Sequence, residues 1–518
     1  MPRACAGLGV LLLAMLLNGA LAQSPAGLEA LAERLLHPLW TARRDAAEAI
    51  GASGPAASAA IPALIRSLDD VDVQVRRAAV QALAHVGAGS AAAVPGLVHA
   101  LSDTDWVVRR RAALSFDGMP AATAVADIRK LLASESTDVR TSAALALSGL
   151  APDSRAALPD LVTALTADDW QLRAAAVHAL GAMGADASDA LPALARALRD
   201  PDWGVAEQVV EALSRIGEPA LPVLIEALES PSLVVRWGAV RALGRIGAQA
   251  AAAVPALAGL LDDPALQARW AAAKALWSIG PAAAGAAPQL VDALGDPDWV
   301  VRWSAARALG AVAAEPHLDA TVTVLAAGLE DRDSRVCEAA AFALEQIGPA
   351  AVAALPALSA AATGTGRAAA DGAESPACQV IDIGPAAEEL LMESGWTVRW
   401  ASVRALGVVG LGRISALPPL LQALQDEQWQ VRGVAALAVG QFGIRATPAA
   451  VAAVADALQD EQAPVRKAAT MALGEIGPPA RTVITALQAV TDDDDEAVRE
   501  AAAVAIANVS GNPIGERQ

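Results

Sequence analysis

At 518 residues, with 57 acidic against 38 basic side chains and a formal charge of −19, the chain has the wrong balance for a general binder of phosphate backbones, which excludes nucleic acid as a main partner. Hydrophobic residues make up 55%, much of that alanine, and past the N-terminus no uninterrupted apolar run reaches the roughly 18 residues of a membrane span. Composition hardly changes from one end to the other, so a single repeated architecture is expected in place of several unlike domains.

The chain opens on Met1-Pro2-Arg3, continues into the apolar stretch Val10 to Leu17, and reaches Ala20-Leu21-Ala22 before Gln23. One basic residue, a short apolar core and an A-x-A site predict a secretory signal peptide over residues 1–22, cleaved after Ala22, and hence an exported protein, periplasmic or extracellular. An N-terminal anchor is the alternative, and it needs a longer core. Cleavage removes Cys5 and leaves Cys337 and Cys378 in a compartment that permits disulfides.

From about Leu31 onward one phrase recurs with a usual period of 33 residues. Leu290 to Ala313 nearly copies Leu257 to Gly280. An arginine early in the second half of each copy can be followed through Arg43, Arg76, Arg109, Arg140, Arg173, Arg236, Arg269, Arg302, Arg399, Arg432, Arg466 and Arg499, with Ala206 and Cys337 in the same slot of two further copies. Each copy predicts two helices. The first is short and carries proline in its opening turn, as at Leu191-Pro192, where the missing N–H would lack a partner anyway. An acidic turn follows, and Asp298 exemplifies the N-cap of the second helix. Val301, Ala305, Leu309 and Val312 then form one continuous buried stripe, and glycine closes many copies, among them Gly87, Gly184, Gly217, Gly247, Gly280, Gly348 and Gly477, in a left-handed conformation. The regular pattern runs through 23–358 and 394–509, with a nine-residue tail at 510–518. Between them, residues 359–393 read as a degenerate fifteenth repeat with a loop around Thr363-Gly364-Thr365-Gly366 and Asp371 to Pro376.

Two-helix units with aspartate at the turn and Val-Arg early in the second helix resemble HEAT repeats, in particular the short variety of phycobilin lyase-like proteins. The resemblance covers about Leu31 to Val509 and implies an all-α superhelix of about 14–15 repeats whose second helices line the concave face. It also implies a ladder in which the acid six residues before the arginine slot joins adjacent units. That acid is present at Asp70, Asp103, Asp200, Asp263, Asp296, Asp331, Glu393, Asp426, Asp460 and Asp493, and absent at Ser134, Ala167 and Ser230. Tetratricopeptide repeats share the period but want tyrosine, which this chain lacks.

No catalytic residue, cofactor or metal site is expected. The five histidines are scattered with no two at metal spacing, and there is no nucleophile elbow, Walker loop or dinucleotide fingerprint. The run Asp492 to Glu496 occupies the turn and cap slot of the last repeat.

Aromatic usage is unusual, with 12 tryptophans against three phenylalanines and no tyrosine. Trp40, Trp106, Trp170, Trp203, Trp299, Trp396 and Trp429 sit just after the turn, and are expected to cover the turn of an adjacent unit. Trp237, Trp270, Trp303 and Trp400 directly follow the ladder arginine, away from the buried stripe, and each is followed four residues on by Arg241, Lys274, Arg307 or Arg404. These eight residues are expected to form an exposed partner-binding strip; the competing reading is cation–π decoration that stiffens neighbouring units. The function expected is a non-enzymatic binding scaffold whose partner is a protein, with a glycan or anionic ligand as other occupants. A lyase-like accessory role and a structural spacer are the alternatives. Cys337 and Cys378, in consecutive units, are a candidate disulfide that restores the link lost where cysteine replaces the ladder arginine.

Overall fold

The computed structural model describes residues 25–365 and 395–511. The segment read as a signal peptide, Cys378 and its disulfide, and Glu393 therefore lie outside the described residues. These contain fourteen successive helix pairs and no strand. They divide into two compact units between Ile246 and Gly247, with seven pairs in each.

Within each unit the second helices form one layer, each packed on the next. In the first unit they are Trp40–Ala52, Val73–Val86, Trp106–Leu114, Thr137–Gly149, Trp170–Ala182, Trp203–Ile216 and Leu233–Ile246. In the second they are Leu266–Ile279, Trp299–Val312, Ser334–Ile347, Gly395–Val409, Trp429–Gly440, Ala463–Ile476 and Glu496–Ser510. The shorter first helices form the other layer. Helix Leu355–Ala362 packs on Gly395–Val409 as the two members of one repeat, and Ser334–Ile347 packs directly on Gly395–Val409. Of the expected fifteenth repeat, Ser359 to Ala362 belongs to an ordinary first helix, and residues 366–394 lie outside the described residues.

Local chemistry accounts for the elements. Proline occupies the first turn of most short helices, and the Oδ1 of Asp72, Asp105, Asp169, Asp202, Asp298, Asp333 and Asp495 accepts N–H bonds from the first turn of a second helix. Val301, Ala305, Leu309 and Val312 are all buried, as the period requires. Gly217, Gly280, Gly348 and Gly477 close their helices at positive φ. Gly87 departs from the expectation: its φ is −93°, the positive φ falls at Gly89, and Gly87 is small because a Cβ there would overlap Ala93. Two stretches, Leu233–Asp262 and Ser334–Ala362, are long and apolar enough by length and composition to cross a membrane. Each is broken by a positive-φ glycine, Gly247 or Gly348, between the second helix of one repeat and the first helix of the next.

The ladder is present. Arg43 pairs with Asp70, Arg76 with Asp103 and Arg173 with Asp200 in the first unit, at 2.6–2.8 Å. In the second, Arg269 pairs with Asp296, Arg302 with Asp331, Arg399 with Asp426, Arg432 with Asp460 and Arg466 with Asp493, also at 2.6–2.8 Å. Where Ser134 replaces the acid, Arg109 reaches Asp138 instead, and where Ala167 replaces it, Arg140 turns to Thr137 of its own helix. At the cysteine slot, Cys337 is fully buried and its thiol donates to the Asp331 carbonyl at 3.2 Å.

Burial raises the Asp200 carboxyl, but the Arg173 guanidinium and the Asp202 N–H outweigh it and hold it below the usual range. Asp70 and Asp460 behave alike, and in Asp493 the Arg466 hydrogen bond is the leading cause of the lowering. Folded values below the unfolded one, about 3.9, mean that the rungs contribute in full above about pH 4 and are lost as pH falls through the folded values. The melting temperature should therefore hold from pH 7 to about pH 5 and fall steeply below about pH 4; a midpoint unchanged at pH 3 would contradict this. Burial also pushes the Cys337 thiol up to about 12. Its alkylation by iodoacetamide at pH 8 should be blocked in the folded protein and released by denaturant, as followed by mass spectrometry of the Cys337 peptide.

Candidate functional site

The four strip tryptophans stand where the sequence placed them, one residue after the ladder slot, but their rings are half-buried. This corrects the expectation of an exposed strip. The cause is the closeness of neighbouring second helices, which meet at alanine and glycine: a Cβ on Gly310 would lie 2.8 Å from Ala343 Cα, and one on Gly440 equally close to Ala472 Cα. Large rings beside so narrow a seam sink into the crease between helices.

There each ring is covered by the cation four residues on. Arg241 lies 4.5 Å from the centroid of Trp237, Lys274 5.5 Å from Trp270, Arg307 5.2 Å from Trp303 and Arg404 4.9 Å from Trp400. Several of these cations also reach the preceding repeat. In the first unit Arg241 and Arg245 both bind Glu207, and the Arg241 hydrogen bond is the main reason that carboxyl is lowered. In the second unit Arg307 lies 4.4 Å from Trp277, and Arg404 stacks 5.6 Å from Phe342 while pairing with Glu345 at 2.8 Å. Phe342 and Trp400 meet edge to face at 6.0 Å. Glu338 stands among these groups, its carboxyl raised by burial against the Thr397 hydrogen bond and the field of Arg307. Trp277 and Phe342 were missed in sequence; Trp277 is two turns beyond Trp270, a spacing that would have found it.

The post-turn tryptophans reverse their expectation too. Trp106 is 62% exposed, Trp170 51% and Trp203 68%, with Trp40 and Trp429 near 40%. Trp299 and Trp396 are the exceptions, both half-buried, Trp299 under Arg335 of the next repeat at 3.5 Å. The residue that corresponds to Arg335 is Gly204 in the repeat after Trp170 and Val234 in the repeat after Trp203, so nothing long enough comes across to cover those rings.

Because successive second helices of the first unit pack side by side, Trp40, Trp106, Trp170 and Trp203 at their N-termini share one edge of that unit. Leu36, Leu39, Val71 and Val234 are exposed along the same edge. A cleft of about 440 Å³ lined by Leu35, His37, Pro38, Arg43, Asp69 and Val71 opens there at the first two repeats. Asp168 and Glu135 are exposed beside the tryptophans, and Asp169 and Asp202 cap the helices they begin. Among the described residues no three histidine, cysteine or acidic side chains come together as a metal site.

The family model for HEAT repeats matches in nine stretches, 28–116, 94–181, 158–233, 191–277, 221–310, 255–345, 287–374, 384–464 and 417–507. Among solved structures, Kap121p bound to Nup53p is similar at 14% identity and a TM-score of 0.62, over 93% of this chain and 56% of that one. Kap121p bound to RanGTP gives 15%, 0.58, 94% and 57%, and importin beta in a polyethylene glycol condition gives 14%, 0.50, 94% and 82%. This chain thus spans little more than half of Kap121p, and identities so low establish the fold alone. No curated protein sequence matches significantly. With helix pairs, capped acidic turns, an arginine ladder and a family model that covers most of its length, the chain belongs to the HEAT-repeat family.

Proposed function

We propose that this chain is a non-enzymatic scaffold that binds a protein partner along the tryptophan edge of its first unit. The observation that carries the reading is the exposure of Trp106, Trp170 and Trp203 in a protein whose other large side chains are mostly covered. Solvated indole rings in a row are what interface hot spots are built from. Kap121p, of the same fold, is solved with Nup53p and with RanGTP, so solenoids of this kind do serve as protein-binding surfaces. Export belongs to the same proposal and rests on the sequence of residues 1–22 alone.

In this reading the strip of Trp237, Trp270, Trp303 and Trp400 with their cations joins neighbouring repeats, and direct contact passes to the edge. The lyase-accessory alternative has no residue of this chain to support it.

The test is quantitative capture of partner from an exported fraction by three forms of the protein. Trp170→Ala combined with Trp203→Ala should weaken the partner by about 2 kcal/mol or more and leave the melting temperature nearly unchanged. Trp303→Ala should lower the melting temperature and leave capture intact. The reverse pattern would return binding to the strip and overturn the assignment.

A further inference from the structure

We infer that the partner segment on this edge is basic and extended, with arginine or lysine at about every third residue; this rests on the edge being the binding surface. Among the described residues seven tryptophans carry a basic side chain over the ring: Trp40, Trp237, Trp270, Trp277, Trp299, Trp303 and Trp400. Trp170 and Trp203 carry none. The reason is visible in sequence, because the residue four further on, which is Arg44 after Trp40 and Arg241 after Trp237, is Ala174 after Trp170 and Glu207 after Trp203. In both cases the next repeat also fails to supply a cation, as Gly204 and Val234 show. These two rings lie in adjacent repeats and, like those of Trp106, Trp396 and Trp429, have no cation over them among the described residues, whereas seven other tryptophans are covered by guanidinium or ammonium groups.

Their surroundings favour the same visitor. Asp168, Asp169, Asp202 and Glu135 have no ion-pair partner among the described residues, while the nearby Arg109 and Arg173 are already held by Asp138 and Asp200. Arg140 is turned inward to the Ser134 and Glu135 carbonyls and the Thr137 hydroxyl, and Arg199 reaches Ser230 Oγ. The edge therefore presents aromatic faces beside carboxylates that hold no ion pair, a surface complementary to positive charge. Packed helices lie about 8–10 Å apart, and an extended chain covers that distance in about three residues at roughly 3.3 Å each. A segment laid across the repeats would thus offer one side chain per repeat to the row.

The inference is tested with the intact chain and a fluorescein-labelled 12-residue glycine–serine peptide bearing arginine at every third position, followed by anisotropy at low and at 0.15 M salt. A matched peptide with glutamate in place of arginine is the control. The arginine peptide should bind and the glutamate peptide should not. Trp170→Ala with Trp203→Ala should weaken the arginine peptide at least tenfold, the two phenylalanine replacements should weaken it less, and Asp168→Asn with Glu135→Gln should weaken it about threefold and flatten the salt dependence. Unchanged binding by the double alanine variant would mean diffuse attraction to an acidic protein, and would overturn the inference. So would self-association abolished by the same variant, which would make the occupant a second copy. If the arginine peptide fails to bind while capture from the exported fraction still requires Trp170 and Trp203, the basic segment is excluded and the edge remains the binding surface.

Discussion

A ladder arginine with its acid in place joins three pieces of backbone. Arg302 donates Nη1 to the Asp296 and Pro297 carbonyls, closing the turn of its own repeat, and donates Nε and Nη2 to the two oxygens of Asp331 in the next. Asp331 Oδ1 in turn accepts the Asp333 N–H and so fixes the turn that begins the following helix. The planar, five-donor guanidinium is what makes this arrangement available, and lysine could not reproduce it. Through it the start of one second helix is placed relative to the start of the next, and everything on the turn edge inherits that register.

The second constraint is the seam of small residues between second helices. Alanine against alanine and glycine lets neighbouring helices approach closely, which explains why so much of the apolar content is alanine. The same closeness decides the fate of tryptophan. Rings in the middle of the layer fall into creases and are held by their own cations, whereas rings at the first helical position project past the end of the seam. There the next repeat can cover them only with a long side chain, as Arg335 covers Trp299.

Most of the fold was legible in the sequence because its determinants are local. The repeat period, the Asp298 cap, the stripe from Val301 to Val312 and the aspartate six residues before most ladder arginines all express themselves within one copy. Exposure was not legible for the opposite reason. Whether Trp170 is open depends on Gly204, and whether Trp299 is closed depends on Arg335, each a residue of the following copy at a position that helical angle within one helix does not weigh. The spacing between Cys337 and Arg399 suited an extra unit; Leu355–Ala362 and Gly395–Val409 pack as one repeat, Ser334–Ile347 packs directly on Gly395–Val409, and residues 366–394 lie outside the described residues. Gly87 looked like its neighbours in sequence and differs because Ala93 approaches it.

The arginine–aspartate rungs are expected to couple adjacent repeats energetically as well as geometrically. A double-mutant cycle on Arg302→Met and Asp331→Ala, read from chemical denaturation of the intact chain, measures this directly. Both side chains are largely buried, at 5% and 14% exposure. A coupling of about 2 kcal/mol or more is predicted, well above the value below about 1 kcal/mol typical of surface pairs. A coupling under about 0.5 kcal/mol would show that the rungs only decorate a stack held together by its small-residue seam, and would contradict the account.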